Sequence, residues 1–237
     1  MSTVDADTKD RMKVWSDRWR DGDIGFHDGV VNRMLVKHLT KLIPEGKANK
    51  VFFPLCGKTV DMSWLASQGY NVVGVDGVKK ALEDFFTEQN IEYSVEDVLN
   101  NGKSFQLLKS KDGQIRLYCT DIFNFTHDVE GTFDAVWDKG SLVALNREDV
   151  SGYVENMKKL LSPNGRILLM IKEYDAALMK DVEWLNKPPP PYPMSEDEIK
   201  TLYGPECEVH LIQRDTCKVM GKEFKGAQAA VYNIIKK

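Results

Sequence analysis

The sequence predicts an α/β fold: a doubly wound, mostly parallel sheet with helices on both faces. Two observations carry that expectation. Short apolar runs alternate with helical periodicities from residue 51 to residue 172, the signature of strand–helix–strand units with right-handed crossovers. The 237 residues, 42% hydrophobic and 29% charged, match a soluble globular chain and suffice for one large domain with additions.

The elements follow in order. Residues 1–9 read as a disordered N-terminus, and 10–237 as one domain. From Asp10, the residues Met12, Trp15 and Trp19 fall on one helical face, and a loop holding Gly22 and Gly25 ends that helix. From Asp28, Val31, Met34, Leu35, Leu39 and Leu42 form an amphipathic stripe terminated by Pro44 and Gly46. The repeat then begins: a strand at 51–53, a helix at 60–67, a strand at 71–75 and a helix at 78–89. Segments 105–109 and 115–119, joined by Lys111-Asp112-Gly113, read as a hairpin, and 133–137 as a buried strand. A helix over 147–161 leads through Pro163-Asn164-Gly165 into a strand at 166–172. A helix-like stretch at 174–184, a proline cluster at 188–191 and a short helix capped by Ser195 and Glu198 come next. Strands at 208–214 and 228–235 close the chain.

Charge and composition exclude several functions. With 32 Lys plus Arg against 36 Asp plus Glu, and no basic block, the chain carries no footprint for nucleic acid. The longest uninterrupted apolar run, 167–171, is far below a membrane span of roughly 18 residues. The acidic, polar N-terminus is neither a signal nor a transit peptide, so a cytoplasmic address is expected. Cys56, Cys119, Cys207 and Cys217 form no CxxC pair, which predicts reduced thiols and no metal. A small-molecule partner fits best, and no heptad seam argues for anything beyond a monomer.

Doubly wound sheets bind ligands beyond the carboxyl ends of their strands, which directs attention to the residues after Phe53, Val75, Cys119 and Trp137. The first end reads Pro54-Leu55-Cys56-Gly57-Lys58, with one glycine to let a backbone approach a ligand. Neither a GxGxxG fingerprint nor a Walker A loop is present, which removes most support for a pyrophosphate-bearing cofactor. The second end carries Asp76, at a spacing from Gly57 close to the roughly 20 residues at which an acid reaches ribose hydroxyls. A helix cap or turn is the competing role. The third end offers Asp121 and Ile122, able to meet an adenine amino group and ring, or else to form a solvated turn and a core contact. The fourth end places the charged pair Asp138-Lys139 where a substrate would be held, or where an ion pair would simply close a loop.

Four segments are distinctive: Val51-Phe-Phe-Pro-Leu-Cys-Gly-Lys-Thr-Val-Asp-Met, Gly69-Tyr-Asn-Val-Val-Gly-Val-Asp76, Phe85-Phe-Thr-Glu-Gln-Asn90 and Trp137-Asp-Lys-Gly-Ser-Leu-Val-Ala144. With Trp15-Ser-Asp-Arg-Trp19 and Gly25-Phe26-His27 upstream, the chain resembles the thiopurine S-methyltransferase family from about Trp15 to its C-terminus. The resemblance implies a Rossmann-like class I, S-adenosylmethionine-dependent methyltransferase. It would have a seven-stranded sheet, an N-terminal helical cover over 10–46, and a sheet core with C-terminal substrate elements over 47–237. It further implies that Trp15, Trp19 and Phe26 cover the cofactor, that Leu55 lies at its methionine portion, that Gly57 and Lys139 also contact the cofactor, and that Asp76 holds the ribose. Asp121 and Ile122 would flank the adenine, Phe26 and Lys139 would face the acceptor, and Lys139 would favour its thiolate.

The implied reaction moves a methyl group to the sulfur of a small thiol such as a thiopurine, or to selenium or another metalloid, and releases S-adenosylhomocysteine without a metal. Three departures from the family pattern stand out: Lys139 replaces an Arg of the vertebrate members, Asp76 replaces a Glu of some members, and the stretch 218–226 offers no single equivalent of a vertebrate Arg. Two other functions stay open on the residues alone: a nicotinamide-dependent oxidoreductase, and a non-catalytic S-adenosylmethionine-binding protein. Cys56 and Cys119 read as packed residues rather than nucleophiles, and His27 as an exposed loop residue.

Overall fold

The computed structural model describes residues 3–44, 50–175, 177, 190–219 and 222–237. Most of the helix expected over 174–184, and prolines 188–189, lie outside them. The chain forms two compact units, Met1–Val36 with Asn49–Gly131, and Lys37–Ala48 with Thr132–Lys237. Helix α1 (Thr3–Asp21) begins ahead of the expected start at Asp10, so the stretch 1–9 expected to be disordered is helical from Thr3. Helix α2 (Arg33–Leu42) starts later than Asp28 because Asn32 acts as its cap, its Oδ1 accepting from the Met34 N–H at 2.8 Å.

In the first unit the chain runs β1 (Lys50–Pro54), α3 (Asp61–Ser67), β2 (Asn71–Asp76), α4 (Lys79–Glu88), β3 (Tyr93–Asn100), β4 (Lys103–Ser110), β5 (Ile115–Cys119) and α5 (His127–Glu130). Its strands lie in the order β3-β4-β5-β2-β1. β1 and β2 pair in parallel, as do β2 and β5, while β4 runs antiparallel to both β5 and β3. Strands covered on both faces read as continuous apolar runs, and Val51, Phe52, Phe53, Val72, Val73 and Val75 are each at most 2% exposed. Helix α4 turns Ala81, Leu82, Phe85 and Phe86 into the same core at 0% exposure, each of the larger side chains contributing roughly 1.5–3 kcal/mol of burial.

The second unit runs β6 (Phe133–Lys139), α6 (Val150–Leu160), β7 (Leu161–Glu173), α7 (Glu196–Tyr203), β8 (Cys207–Val219) and β9 (Lys222–Lys236), with strand order β6-β7-β9-β8. β6 and β7 are parallel, and β9 is antiparallel to β7 and to β8. The apolar run 167–171 lies inside β7, whose Ile167, Leu168, Leu169 and Ile171 are at most 1% exposed. The expected capping box holds α7: Ser195 Oγ accepts from the Glu198 N–H, and the Glu198 carboxylate accepts from the Ser195 N–H.

The doubly wound α/β class stands, but the sheet is mixed and the described residues contain nine strands rather than seven. The strand that pattern reading misses is β3, most of whose residues are exposed, so no apolar alternation marks it. Its signal was the Asn101-Gly102 dipeptide. Both residues have positive φ, 50° and 75°, and they form the two-residue link between the paired Asn100 and Lys103, the conformation that joins antiparallel strands most tightly.

Candidate active site

The parallel register of the first unit brings three strand ends side by side. Pro54 sits opposite Val75, and Asp76 opposite Cys119, so the turns leaving β1, β2 and β5 share one edge. The Cys56 N–H donates to the Val75 carbonyl at 3.0 Å, and the Thr120 N–H to the Asp76 carbonyl at 3.1 Å, which ties the three turns together.

Asp76 is the centre of this edge. Its carboxylate accepts from the Gly57 N–H at 2.8 Å through Oδ2 and from the Val78 N–H at 2.9 Å through Oδ1. The acid expected at ribose distance from Gly57 therefore touches the turn that carries Gly57. Burial pushes its pKa above the usual carboxylate value, against backbone N–H bonds from Val78, Gly57 and Gly77 that favour the ionised form. A carboxylate has about four acceptor sites, so these bonds leave capacity on both oxygens.

The turn after β1 is strained where it meets this acid. Leu55 has φ 41° and Gly57 φ 51°. Among the described residues the other positive-φ residues that are not glycine are asparagines, which tolerate that region, whereas a branched leucine held there marks a constraint imposed by its surroundings. A Cβ on Gly57 would stand 3.1 Å from Trp19 Cζ2, so the indole lies against the glycine backbone.

The aromatic residues of α1 and its following loop assemble over this turn. Trp19 is 4% exposed and clusters with Val78 and Ala81, with Trp15 and Ile24 packed alongside. Phe26 is 41% exposed and meets Trp15 and Trp19 edge to face, at centroid distances of 5.5 and 5.9 Å. The Arg18 guanidinium lies over both the Trp15 and the Phe26 rings, at 5.2 and 5.1 Å, and its Nε donates to Asp23 at 2.9 Å. Lys58 sits 5.8 Å from the Trp19 ring and pairs with Glu88 at 2.6 Å. The two tryptophans are thus core anchors as well as neighbours of Gly57 and Val78. Met12 is the α1 residue that the sequence reading left without a role, and its side chain rests against the Gly77 backbone beside Asp76.

The third strand end is built differently. Asp121 caps a short 3-10 turn, its Oδ1 accepting from the Phe123 N–H at 3.0 Å, and Ile122 is 2% exposed. The chain itself therefore uses both residues structurally. Cys56 is buried and its thiol is pushed far above its ordinary value, mainly by desolvation; Cys119 is pushed to about 11 for the same reason. Neither is a thiolate near neutral pH, in accord with a packing role.

In the second unit, β6 ends at Asp138 and Lys139, and Lys139 is half-buried in register with Met170 of β7. Asp138 is 0% exposed. It accepts from Tyr153 Oη at 2.7 Å, from the Ser141 N–H at 3.1 Å and from the Leu142 N–H at 3.4 Å. Tyr153, on α6, carried no signal in the sequence, because the pair is 15 residues apart and formed only by packing.

Among the described residues no helix is long and apolar enough to cross a membrane, and no group of three His, Cys, Asp or Glu could hold a metal ion. The fold is the Rossmann-like one that class I methyltransferases share. Magnesium protoporphyrin IX methyltransferase from Synechocystis PCC 6803, solved with bound SAH, superposes with a TM-score of 0.65 at 15% identity, over 96% of this chain and 100% of that one. The 1,6-didemethyltoxoflavin-N1-methyltransferase of Burkholderia thailandensis gives 0.64 at 15% identity, over 100% and 92%.

Residues 10–236 match the family model of thiopurine S-methyltransferase. A probable thiopurine S-methyltransferase of Danio rerio is 39% identical over 211 residues, 89% of this chain and 87% of that protein. The thiopurine S-methyltransferase of Bos taurus is 36% identical over 209 residues, 87% and 82%. The chain belongs to the thiopurine S-methyltransferase family and is an S-adenosylmethionine-dependent S-methyltransferase. The oxidoreductase and non-catalytic alternatives are set aside by that membership.

Proposed function

We propose that the chain methylates the sulfur of a small aromatic or heterocyclic thiol, of which a thiopurine is the type, with the cofactor held at the carboxyl edge of the first unit. The observation that carries this reading is the Asp76 carboxylate, oriented by the N–H groups of Gly57 and Val78. Its remaining acceptor sites suit the two ribose hydroxyls of a nucleoside. The one-glycine turn at Leu55–Gly57 supplies no nest for a pyrophosphate, which S-adenosylmethionine lacks, and is assigned to the methionine portion. Asp121 and Ile122 are assigned to the adenine, and Trp15, Trp19 and Phe26 to the cover.

When bound, S-adenosylmethionine supplies an electrophilic methyl group on a positively charged sulfur. The chain's own contribution is to orient and to exclude water. Phe26, the exposed member of the aromatic cluster, faces the acceptor. The acceptor reacts as its thiolate, the thiol proton passing to solvent. Aligning the acceptor sulfur and the methyl carbon at roughly 3–3.5 Å accounts for most of the rate enhancement this reading requires. No dedicated base and no metal are invoked. The protein is read as cytoplasmic and monomeric.

The test is calorimetric and kinetic. S-adenosylhomocysteine binds the wild-type protein and NAD does not, and Asp76→Ala weakens that binding by about 10–100-fold, the loss expected for hydrogen bonds to a charged acceptor. A panel of thiols incubated with S-adenosylmethionine yields S-adenosylhomocysteine fastest with aromatic members. Release with none of them, or equal affinity losses in Asp76→Ala and Lys139→Ala, would sink the assignment.

A further inference from the structure

Asp76 is held between two turns, and each of those turns carries a glycine against which a side chain of α1 rests. Trp19 lies against Gly57, whose N–H donates to Asp76 Oδ2. Met12 lies against Gly77, which follows the acid and precedes the second donor, Val78. Met12, Trp15 and Trp19 are three and four residues apart, which puts them on one face of the helix. That face therefore touches both turns that orient the carboxylate.

The missing side chain at Gly77 has a steric reason. Gly77 lies outside the left-handed region that favours glycine, so its backbone would accept an L side chain. A Cβ there would run into the Met12 methyl and stand 2.5 Å from Met12 Sδ, while the next nearest atom, the Thr120 carbonyl oxygen, is 3.9 Å away. Met12 thus fills the space that a side chain following Asp76 would otherwise take. That space faces Thr120, one residue before Asp121, so the thioether end lies at the gap between the turns leaving β2 and β5. The strand ends offer there a glycine and a backbone carbonyl, and the apolar side chain comes from α1. Met12 is half-buried, whereas Met34, Met62, Met157 and Met194 are at most 3% exposed, so part of its surface is open to a ligand. A thioether is flexible and polarizable and packs favourably on aromatic rings.

We propose that Met12 is a binding residue for the nucleoside half of S-adenosylmethionine, its thioether supplying from α1 the apolar wall that Gly77 lacks. The inference rests on the assignment of Asp76 to the ribose and of Asp121 to the adenine. It adds a contact brought from a separate element, for which Gly77 is the seat.

The experiment is titration calorimetry with two ligands, S-adenosylhomocysteine and methylthioadenosine, the second lacking the amino-acid half. Met12→Ala is expected to weaken both by about tenfold, the worth of roughly two buried methylene groups. Met12→Leu, which keeps the apolar volume, costs no more than about threefold. Gly77→Ala pushes Met12 from its seat and is expected to match Met12→Ala. In the Met12→Ala background it adds no further loss, since the atoms its Cβ would meet are gone. The tryptophan emission of unliganded Met12→Ala stays that of wild type, because Trp19 keeps its own anchors at Gly57, Val78 and Ala81.

A Met12→Ala loss seen with S-adenosylhomocysteine and absent with methylthioadenosine places the side chain at the amino-acid half and overturns the inference. So do Met12→Ala and Gly77→Ala losses that multiply. A shifted emission in unliganded Met12→Ala shows that the side chain merely docks the helix, and overturns it too. Asp76→Ala separates the inference from the reading beneath it. If Asp76→Ala weakens both ligands and Met12→Ala neither, the inference fails alone; if Asp76→Ala binds both as wild type does, the ribose assignment fails and takes the inference with it. Should Gly77→Ala fail to fold, the affinities of Met12→Ala and Met12→Leu for the two ligands decide.

Discussion

Asp76 and Asp138 occupy equivalent places in their strands, the carboxyl ends of β2 and β6, yet the two units treat them differently. Asp76 is 9% exposed and accepts from the backbone N–H groups of Gly57 and Val78, in two neighbouring turns. Asp138 is 0% exposed and has a phenol closed over it. Backbone donors orient a carboxylate without covering its outer lone pairs, whereas a side-chain donor from a packed helix seals it. The same residue type at the same kind of position can therefore serve a ligand or serve the turn beside it, and the donor set distinguishes the two.

The largest expected effect tests the sealed site. Asp138→Ala leaves the Tyr153 hydroxyl and the Ser141 and Leu142 N–H groups without their acceptor, at a cost of about 3–5 kcal/mol in unfolding free energy. Asp76→Ala is expected to cost about 1–2 kcal/mol, because the N–H groups it frees are nearer water. Urea denaturation of both variants checks the order, and the reverse ranking would break the comparison.

A second, intermediate effect probes the turn that serves Asp76. Gly57→Ala must hold a side chain at positive φ and push Trp19 back from a 3.1 Å approach, so a loss of about 1–2 kcal/mol is expected. The diagnostic readout is tryptophan fluorescence, since the side chain that must move is the Trp19 indole. An unchanged emission spectrum with unchanged stability would mean that the turn is looser than the contact implies.

The smallest effect concerns the opposite edge of the first unit, where Glu130 accepts from Arg116 at 2.6 Å and from Tyr118 Oη at 2.7 Å, with Lys50 close by. Burial alone would raise its pKa, but the Arg116 and Tyr118 bonds and the charges of Arg116 and Lys50 outweigh burial and hold it below the usual carboxylate range. A group whose folded pKa is depressed stabilises the fold above its unfolded value, and that stabilisation disappears as pH falls through the folded value. Unfolding free energy is thus expected to drop by on the order of 1 kcal/mol as acid protonates this site. Glu130→Gln should be less stable than wild type at pH 7 and show a flatter acid limb. Parallel acid limbs for the two proteins would count against this cluster as a source of acid sensitivity.

Much of this was legible in the chain. Residues 51–57 and 69–76 mark β1, β2 and their following turns because a buried strand and the turn leaving it are local features, written by consecutive residues. Asp76 and Gly57 could be paired by spacing, since one helix and its flanking turns separate parallel neighbours in such folds. The capping box at Ser195 was readable for the same reason. Strand β3 was not, because its exposed faces carry no alternation, and only the Asn101-Gly102 turn betrays it. The start of α1 at Thr3 also escaped pattern reading, since no apolar stripe marks its first turns.

The sequence by itself determined the fold class and the family, because hydrophobic periodicity and local motifs act over a few residues. Only the tertiary structure decided which acid is held by backbone N–H groups and which is sealed by a phenol, that Met12 rests beside Asp76, and that Tyr153 grips Asp138. Those facts depend on side chains brought together by packing across elements, and packing is a property of the folded volume that no single stretch of chain encodes.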